Sequence, residues 1–351
     1  MAMSYRENFI RTVKFQRPEY LEHTTHINHA MWAYYKKDLE KVVLKHPTVF
    51  PYYVEGSLDF DSMYFSMDMN DDNYQTDDWG CKWHYPLRYM DGVVVGHPLK
   101  DMKDFDNFPM PKNPVPELTD EEWEKEIQDV ADAKARGELT RGGTEHGFLF
   151  LRHTYLRGFE NAMEDYLFEP ENVEKIYDMI LAHNMKIVDF HIKRGSDLMY
   201  FAEDLGTQTS TIISGDMFRK YVKPAYAKLM QPCKRAGMMV GLHSDGKTLD
   251  ILEDQIEAGV DIVNPQDLCN GIDELQRRIK GKTCIQLDID RQSVVPYGTP
   301  KDIDDLIREE IEKLGSPEGG LMLMCGLYPP TPPENVDALA TAIEKYREMW
   351  F

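Results

Sequence analysis

Four side chains that can bind a metal ion follow apolar runs in the second half of the chain. His243 and Asp245 come directly after the run Met238–Leu242, and Asp267 and Cys325 each follow a later apolar run. The carboxyl ends of parallel strands meet at one rim of an α/β fold, where these side chains could converge. Imidazole, carboxylate and thiolate ligands together suit zinc, and a catalytic zinc keeps one position open. The spacing alone is weak support, since such residues arise readily by chance.

Strand-like and helix-like segments alternate along the second half of the chain. Met238–Asp267 is one complete unit, in which two apolar runs flank an amphipathic helix that ends at Gly259. Such alternation predicts a parallel sheet, and at 351 residues it favours a closed (β/α)8 TIM barrel over an open sheet. We expect a single domain over residues 1–351, with an N-terminal helical extension at 1–45 and a hairpin insertion at 75–100.

Two details of the first half depend on local pattern. Val49–Val54 is apolar and predicts the first strand of the barrel. His23, His26 and His29 recur every third residue, which would place them along one side of a helix.

Composition restricts the classes of partner. The chain has 61 acidic and 40 basic residues, a net charge of −21, which disfavours binding to nucleic acid or to an anionic membrane. Its five cysteines form no paired motif, so a reducing compartment is expected. No apolar run is long enough for a secretory signal or a membrane span. We therefore expect a cytoplasmic protein.

Aromatic residues could form the wall of a substrate pocket. Trp79, Trp83 and Tyr328 are the candidates, because a loop above a barrel would present them as an apolar surface to an aromatic substrate. Packing in the core is nearly as good an interpretation of the same residues.

Two segments carry a resemblance to a known family. Glu203–Pro265 and the closing stretch MCGLYPPTPPENVDAL, Met324–Leu339, resemble the uroporphyrinogen decarboxylase superfamily. The resemblance implies a (β/α)8 barrel, and the superfamily includes zinc methyltransferases that work with corrinoid proteins. A wider relative, cobalamin-independent methionine synthase, holds zinc with a His-x-Cys pair, an acidic residue and a second cysteine. Carried over, His243, Asp267 and Cys325 would be zinc ligands.

Asp245 departs from the pattern of those methyltransferases, which usually have a cysteine at this position. A carboxylate in place of a thiolate leaves zinc a stronger Lewis acid, which suits polarising an ether oxygen. The expected activity is therefore demethylation of a methoxy substrate, as in anaerobic O-demethylation, with transfer of the methyl group to cob(I)alamin. The chain lacks the Asp-x-His-x-x-Gly signature that ligates cobalt, so the cobalamin would be carried by a separate corrinoid protein.

The proton for the departing oxygen has four candidate donors. Glu203 and Asp204 follow one predicted strand, and Glu145 and His146 lie in another strand-like region.

Three alternatives remain open. A methyl-corrinoid:acceptor methyltransferase is the nearest, although the missing cysteine at Asp245 counts mildly against it. A metal-free decarboxylase would need the arginine-bearing RQAGR-type segment, and Glu19–Tyr35 contains no arginine. A third alternative is a barrel that has lost catalysis and only binds a ligand or partner.

Overall fold

The computed structural model describes residues 3–67 and 73–349. Its strands are β1 (Glu22–Ile27), β2 (Asn73–Thr76), β3 (Lys82–Tyr85), β4 (Val93–Gly96), β5 (Arg141–Gly143), β6 (Leu198–Ala202), β7 (Met239–His243), β8 (Ile262–Asn264), β9 (Cys284–Asp288) and β10 (Leu321–Leu327). Its α-helices are α1 (Tyr5–Val13), α2 (His29–Lys45), α3 (Asp120–Ala135), α4 (Phe150–Arg157), α5 (Phe159–Phe168), α6 (Pro170–Arg194), α7 (Gly215–Met217), α8 (Lys223–Arg235), α9 (Leu252–Ala258), α10 (Asp267–Asn270), α11 (Ile272–Ile279), α12 (Val294–Tyr297), α13 (Pro300–Leu314) and α14 (Pro333–Tyr346). No helix of this described part is long and apolar enough to cross a membrane.

Seven strands form one curled parallel sheet. Their order is β1-β10-β9-β8-β7-β6-β5, and every neighbouring pair is parallel. Helices separate successive strands of the second half, as parallel connections require. The predicted α/β fold of the TIM-barrel type is thus confirmed. The expected closure with eight strands is not seen among the described residues: the sheet has seven strands, and its edges, β1 and β5, do not pair with each other.

Helix α1 closes the amino end of the barrel. Its Phe9 and Val13 pack against one side chain from each of five neighbouring strands, β6 to β10: Leu198, Met239, Ile262, Cys284 and Met322. All five lie at or next to the first residue of their strand. The amino end is therefore filled with apolar side chains, and the carboxyl ends of the strands remain for polar chemistry.

The insertion is a small antiparallel sheet of β2, β3 and β4. The predicted hairpin corresponds to β3 and β4, which pair antiparallel. Asp77 fixes this sheet to the barrel, since it accepts hydrogen bonds from Trp83 Nε1 at 3.0 Å and Arg152 Nη1 at 2.7 Å.

Two local predictions for the first half were wrong. Val49–Val54 is not a strand but a turn, in which Val49 and Phe50 both donate to the carbonyl of His46. Pro47 and Pro51 explain the turn, because proline removes the donor that a strand ladder needs. The three histidines do not share a helix: His23 and His26 lie in β1, whose β-branched Thr24 and Thr25 favour a strand.

Candidate functional site

His243 is the last residue of β7 and lies at the carboxyl rim. It aligns with Ala202 of β6 and Asn264 of β8. Its Nδ1 is 2.6 Å from Asn264 Oδ1, while Asn264 Nδ2 donates to the carbonyl of Gln286. Since the amide oxygen can only accept, Nδ1 is the ring nitrogen that donates. In the neutral imidazole, Nε2 then keeps a free lone pair, as a metal ligand requires.

Carboxylates surround that nitrogen. His243 Nε2 lies 3.4 Å from Asp245 Oδ1 and 3.8 Å from Asp204 Oδ1. Two sets of three side chains in the described part of the chain have ligand atoms within 4.8 Å of one another, namely His146, Asp204 and His243, and His243, Asp245 and Asp288. The donors are imidazole nitrogen and carboxylate oxygen, which both suit a divalent metal ion such as zinc.

Asp288 is the ligand residue that sequence reasoning did not select. It ends β9, is 1% exposed, and neither of its carboxylate oxygens accepts a hydrogen bond in the described structure. Burial raises the pKa of Asp288 to about 6. A buried carboxyl group without a hydrogen-bond donor is costly, so this one favours a cation beside it, and the guanidinium of Arg291 supplies part of that charge. The signal was present in the sequence, since Asp288 ends an apolar run as His243 does.

Arg291 supplies a positive charge to the same cluster and was also missed. Its Nη2 forms an ion pair with Asp245 Oδ1 and lies 3.4 Å from Asp288 Oδ2. The guanidinium lies 5.6 Å from the centre of the Tyr328 ring. Gly326 makes room for both, because an added Cβ would lie 2.9 Å from Tyr328 and 3.3 Å from Arg291 Nη1.

Asp267 and Cys325 lie outside both groups of ligand residues in the described chain. Asp267 is 1% exposed, and its carboxylate accepts from the backbone N–H groups of Leu268 at 2.5 Å and Asp290 at 2.9 Å. Cys325 lies on the same face of β10 as Leu321, Leu323 and Leu327, which belong to the main hydrophobic core. It is as buried as these leucines. Burial raises the pKa of both groups. The structure thus brings His243 and Asp245 together but not Asp267 and Cys325 with them.

The four candidate proton donors have different surroundings. Glu203 is fully buried and accepts from Tyr226 Oη at 2.6 Å and from the N–H groups of Leu149 and Leu151 at the start of α4. Burial raises the pKa of Glu203 to about 7. These contacts make Glu203 a cap for α4 rather than a group open to substrate.

Glu145 forms an ion pair with Arg152, with 3.0 Å between Oε2 and Nη2, and it belongs to neither ligand group among the described residues.

His146 is the donor candidate that faces the cluster. Its Nε2 lies 3.4 Å from Asp204 Oδ1, and half of its side chain is exposed. The hydrogen bond with Asp204 raises the pKa of His146. Burial opposes ionisation of Asp204, but the hydrogen bond and charge of His146, the N–H of Asp245 and the charge of His243 together outweigh it, so the pKa of Asp204 is lowered. Each partner of the pair therefore favours the charged form of the other at the edge of the site.

The aromatic candidates separate into core and site. Trp79 is 3% exposed and packs on His183, so it belongs to the core. Trp83 is half-buried and meets Tyr155 edge-to-face at 4.9 Å. Burial and then the negative charge of Asp204 raise the pKa of Tyr155, which places that ring near the cluster. Tyr328, beside Arg291, and Tyr155, which Trp83 contacts, are thus the aromatic candidates nearest the polar groups.

A curled parallel sheet with histidine and carboxylate ligands at its carboxyl rim defines an α/β barrel with a candidate metal centre. The profile of the uroporphyrinogen decarboxylase (URO-D) family matches residues 75–346. The chain therefore belongs to the uroporphyrinogen decarboxylase family.

One solved structure shares the fold over nearly the whole chain. A methyltransferase from Methanosarcina mazei superposes with a TM-score of 0.67 at 16% identity, covering 98% of this chain and 99% of that one. A B12-independent methionine synthase from Shewanella sp. W3-18-1 gives a TM-score of 0.40 at 13% identity, covering 64% of this chain and 67% of that one. No curated protein sequence matches the chain.

Proposed function

We propose that this protein is a zinc-dependent methyltransferase that demethylates a methoxy substrate, preferably aromatic. The methyl group passes to cob(I)alamin carried by a separate corrinoid protein. The observation that carries the proposal is the free Nε2 of His243 facing Asp245 and Asp204 at the barrel rim. The similarity of fold to the Methanosarcina mazei methyltransferase is consistent with it.

Zinc would be held by His243, Asp245 and Asp288. This group explains the buried Asp288 carboxyl, which accepts no hydrogen bond among the described residues. When bound, zinc would supply a Lewis acid for the ether oxygen of the substrate. The family resemblance implies two other ligands, Asp267 and Cys325. Each would have to leave its buried environment to reach a zinc ion at this group.

The remaining residues have roles that follow from their contacts. Asn264 fixes the tautomer and orientation of His243 through Nδ1. His146, whose protonated form Asp204 stabilises, would hold the proton that the departing alkoxide or phenoxide needs. Trp83, Tyr155 and Tyr328 would provide the apolar walls for an aromatic ring.

The first experiment measures metal content by elemental mass spectrometry on the wild type, Asp245→Asn and Cys325→Ala. We expect about one zinc per chain in the wild type and in Cys325→Ala, and a loss in Asp245→Asn. Asp250→Asn is the matched control, because Asp250 is exposed and lies outside the cluster. Loss of zinc from Cys325→Ala would instead support the ligand set implied by the family resemblance.

The second experiment tests the reaction. Purified protein is incubated with methoxyaromatic compounds and free cob(I)alamin, and methylcob(III)alamin is followed by its absorption. Formation of methylcobalamin that requires both the protein and zinc supports the proposal. A zinc protein that instead demethylates methylcobalamin in the presence of a thiol would be an acceptor-side methyltransferase.

A metal-free decarboxylase remains the second candidate because of Arg291. Its guanidinium already lies against Asp245 and Asp288, where it supplies a positive charge to the rim. Decarboxylation of a porphyrinogen by protein without zinc would favour this candidate over the methyltransferase.

A further inference from the structure

The two edge strands of the barrel, β1 and β5, border a second cavity of about 890 Å³. We call it the wall cavity; it is lined by residues of β1 and β5, by the turn Thr48–Tyr53 and by Arg347. None of the described residues that line it belongs to the two ligand groups at the rim. Its volume lies within the range of about 300–1,000 Å³ that is typical of sites for small molecules.

Aromatic rings form much of its lining. Trp32 stacks on Tyr53 with ring centres 5.0 Å apart and planes within 10°. Tyr20, Phe50 and Tyr52 also line the cavity, and none of the three is fully buried. The lining therefore offers flat apolar surfaces that a planar ring could contact.

Arg141 and Arg347 give the wall cavity a positive charge. Within residues 3–67 and 73–349, no carboxylate oxygen lies within 4.0 Å of either guanidinium. Arg141 donates to Tyr5 Oη at 2.5 Å, and Arg347 lies 4.0 Å from the centre of the Tyr20 ring. Unpaired arginines are unexpected in a chain of net charge −21 and favour an anionic ligand.

The acidic residues of the cavity do not cancel this charge. Glu138 lines the cavity, but its Oε1 is paired at 2.6 Å with Nε of Arg136, which is not a lining residue. Glu22 is 5% exposed, and its carboxyl accepts from Asn8 Nδ2 at 2.8 Å. Burial raises the pKa of Glu22 to about 7, so it carries less than a full negative charge near neutral pH.

Three buried polar atoms in the lining have no hydrogen-bond partner in the described structure. They are His23 Nδ1, Thr25 Oγ1 and Arg347 Nε. Buried polar groups are satisfied in most proteins, and three orphans at one cavity indicate that a polar ligand group completes them.

We propose that the wall cavity is a binding site for a small aromatic carboxylate, whose ring contacts the aromatic lining and whose carboxylate pairs with Arg347. The site is independent of the proposed methyl transfer, because none of its described lining residues belongs to the two ligand groups at the rim.

The test is isothermal titration calorimetry of the full chain with benzoate. We expect saturable binding of one benzoate per chain, no measurable binding of the uncharged benzyl alcohol, and weaker binding of inorganic phosphate, which lacks a ring. Equal binding of benzyl alcohol would overturn the proposal, as would phosphate binding tighter than benzoate or the absence of saturable benzoate binding.

Variants locate the site. Arg347→Gln should weaken benzoate binding at least ~10-fold, because it removes a charge-assisted hydrogen bond. Arg308→Gln, an arginine on α13 paired with Asp305, is the matched control and should bind like the wild type. His243→Ala should also bind benzoate normally, and if it loses binding while Arg347→Gln keeps it, the ligand occupies the rim instead.

Thr25→Val covers the case in which Arg347→Gln does not fold. It removes one orphan hydroxyl with almost no change in shape and should weaken benzoate binding by ~3-fold or more. Unchanged affinity in a folded Thr25→Val protein would contradict a carboxylate at this position.

Discussion

The rim of the barrel and the wall cavity carry opposite charge. At the rim, Asp204, Asp245 and Asp288 surround His243, and Arg291 is the cation that contacts Asp245 and Asp288. In the wall cavity, two arginines with no described carboxylate oxygen within 4.0 Å lie near a single buried acid, Glu22. The same sheet thus provides one site suited to a cation and another suited to an anion.

The two sites also differ in how the chain builds them. The rim uses the ends of consecutive strands, so His243, Asn264 and Asp288 follow one another in a regular β-α pattern. The wall cavity combines Glu22, Arg141 and Arg347, which are far apart in sequence. The regular β-α pattern makes the rim site predictable from the sequence. The wall cavity exists only because the two edge strands, β1 and β5, do not pair with each other.

The largest expected effect is on His243→Ala. This change removes the one nitrogen ligand shared by both ligand groups, so we expect complete loss of zinc and of methyl transfer. Elemental analysis and the methylcobalamin assay measure both. The benzoate affinity of the wall cavity should remain, and zinc retained in full would break the assignment of the rim as the metal centre.

His146→Gln should reduce methyl transfer by ~100-fold or more, because a proton donor is lost. If zinc lies among His243, Asp245 and Asp288, the variant keeps its metal. Loss of zinc would place the metal with His146 and Asp204 instead.

The wild-type rate should also fall as the pH rises through the raised pKa of His146, because the protonated imidazole is the active form. A pH profile of the transfer step measures this, and the decline should be absent from His146→Gln.

Arg291→Gln should tighten zinc binding by about tenfold, because it removes a cation that pairs with Asp245 and Asp288. Competition with a chromophoric chelator measures the affinity. Arg278→Gln, which breaks an ion pair with Glu253 away from the rim, is the control and should leave it unchanged. Weaker zinc binding in Arg291→Gln would mean that the arginine organises the ligands rather than competing with the metal.

The last prediction concerns stability and Glu22. Its pKa rises from 4.5 to about 7 on burial, so the folded state holds the proton more tightly than the unfolded chain. The free energy of unfolding should therefore fall as pH rises between these values, by at most about 1.4 kcal/mol per pH unit from this group. Glu22→Gln should flatten that decline in urea titrations at about pH 5 and 7. An equal slope in both proteins would contradict a buried, protonated Glu22.

Much of the fold could be predicted from periodicity. The apolar periodicity of Pro300–Leu314 predicts a helix, and α13 has those bounds. Thr119 and Glu122, three residues apart, predict a capping box, and both of its hydrogen bonds are present in α3. These features depend on neighbours in sequence. β1 was missed because its pairing with β10 outweighs the helical spacing of its histidines.

The candidate site was predictable only in part. Residue type and strand position indicated His243 and Asp245, and they would have indicated Asp288 equally well. Cys325 shows that residue type alone does not identify a ligand. Leu321, Leu323 and Cys325 are spaced two residues apart in β10, so their side chains all point to the hydrophobic core. Arg291 follows β9 in a loop, and no periodic pattern indicates where its guanidinium lies.

The pairing of β1 with β10 has a consequence for the order in which the molecule forms. Glu22 aligns with Met322, 300 positions later, so the edge strand cannot dock until β10 has been synthesised. Such long-range contacts close slowly, and until then β1 and the aromatic residues beside it lack their final partner. The wall cavity, which β1 borders, can therefore take shape only after β10 has left the ribosome.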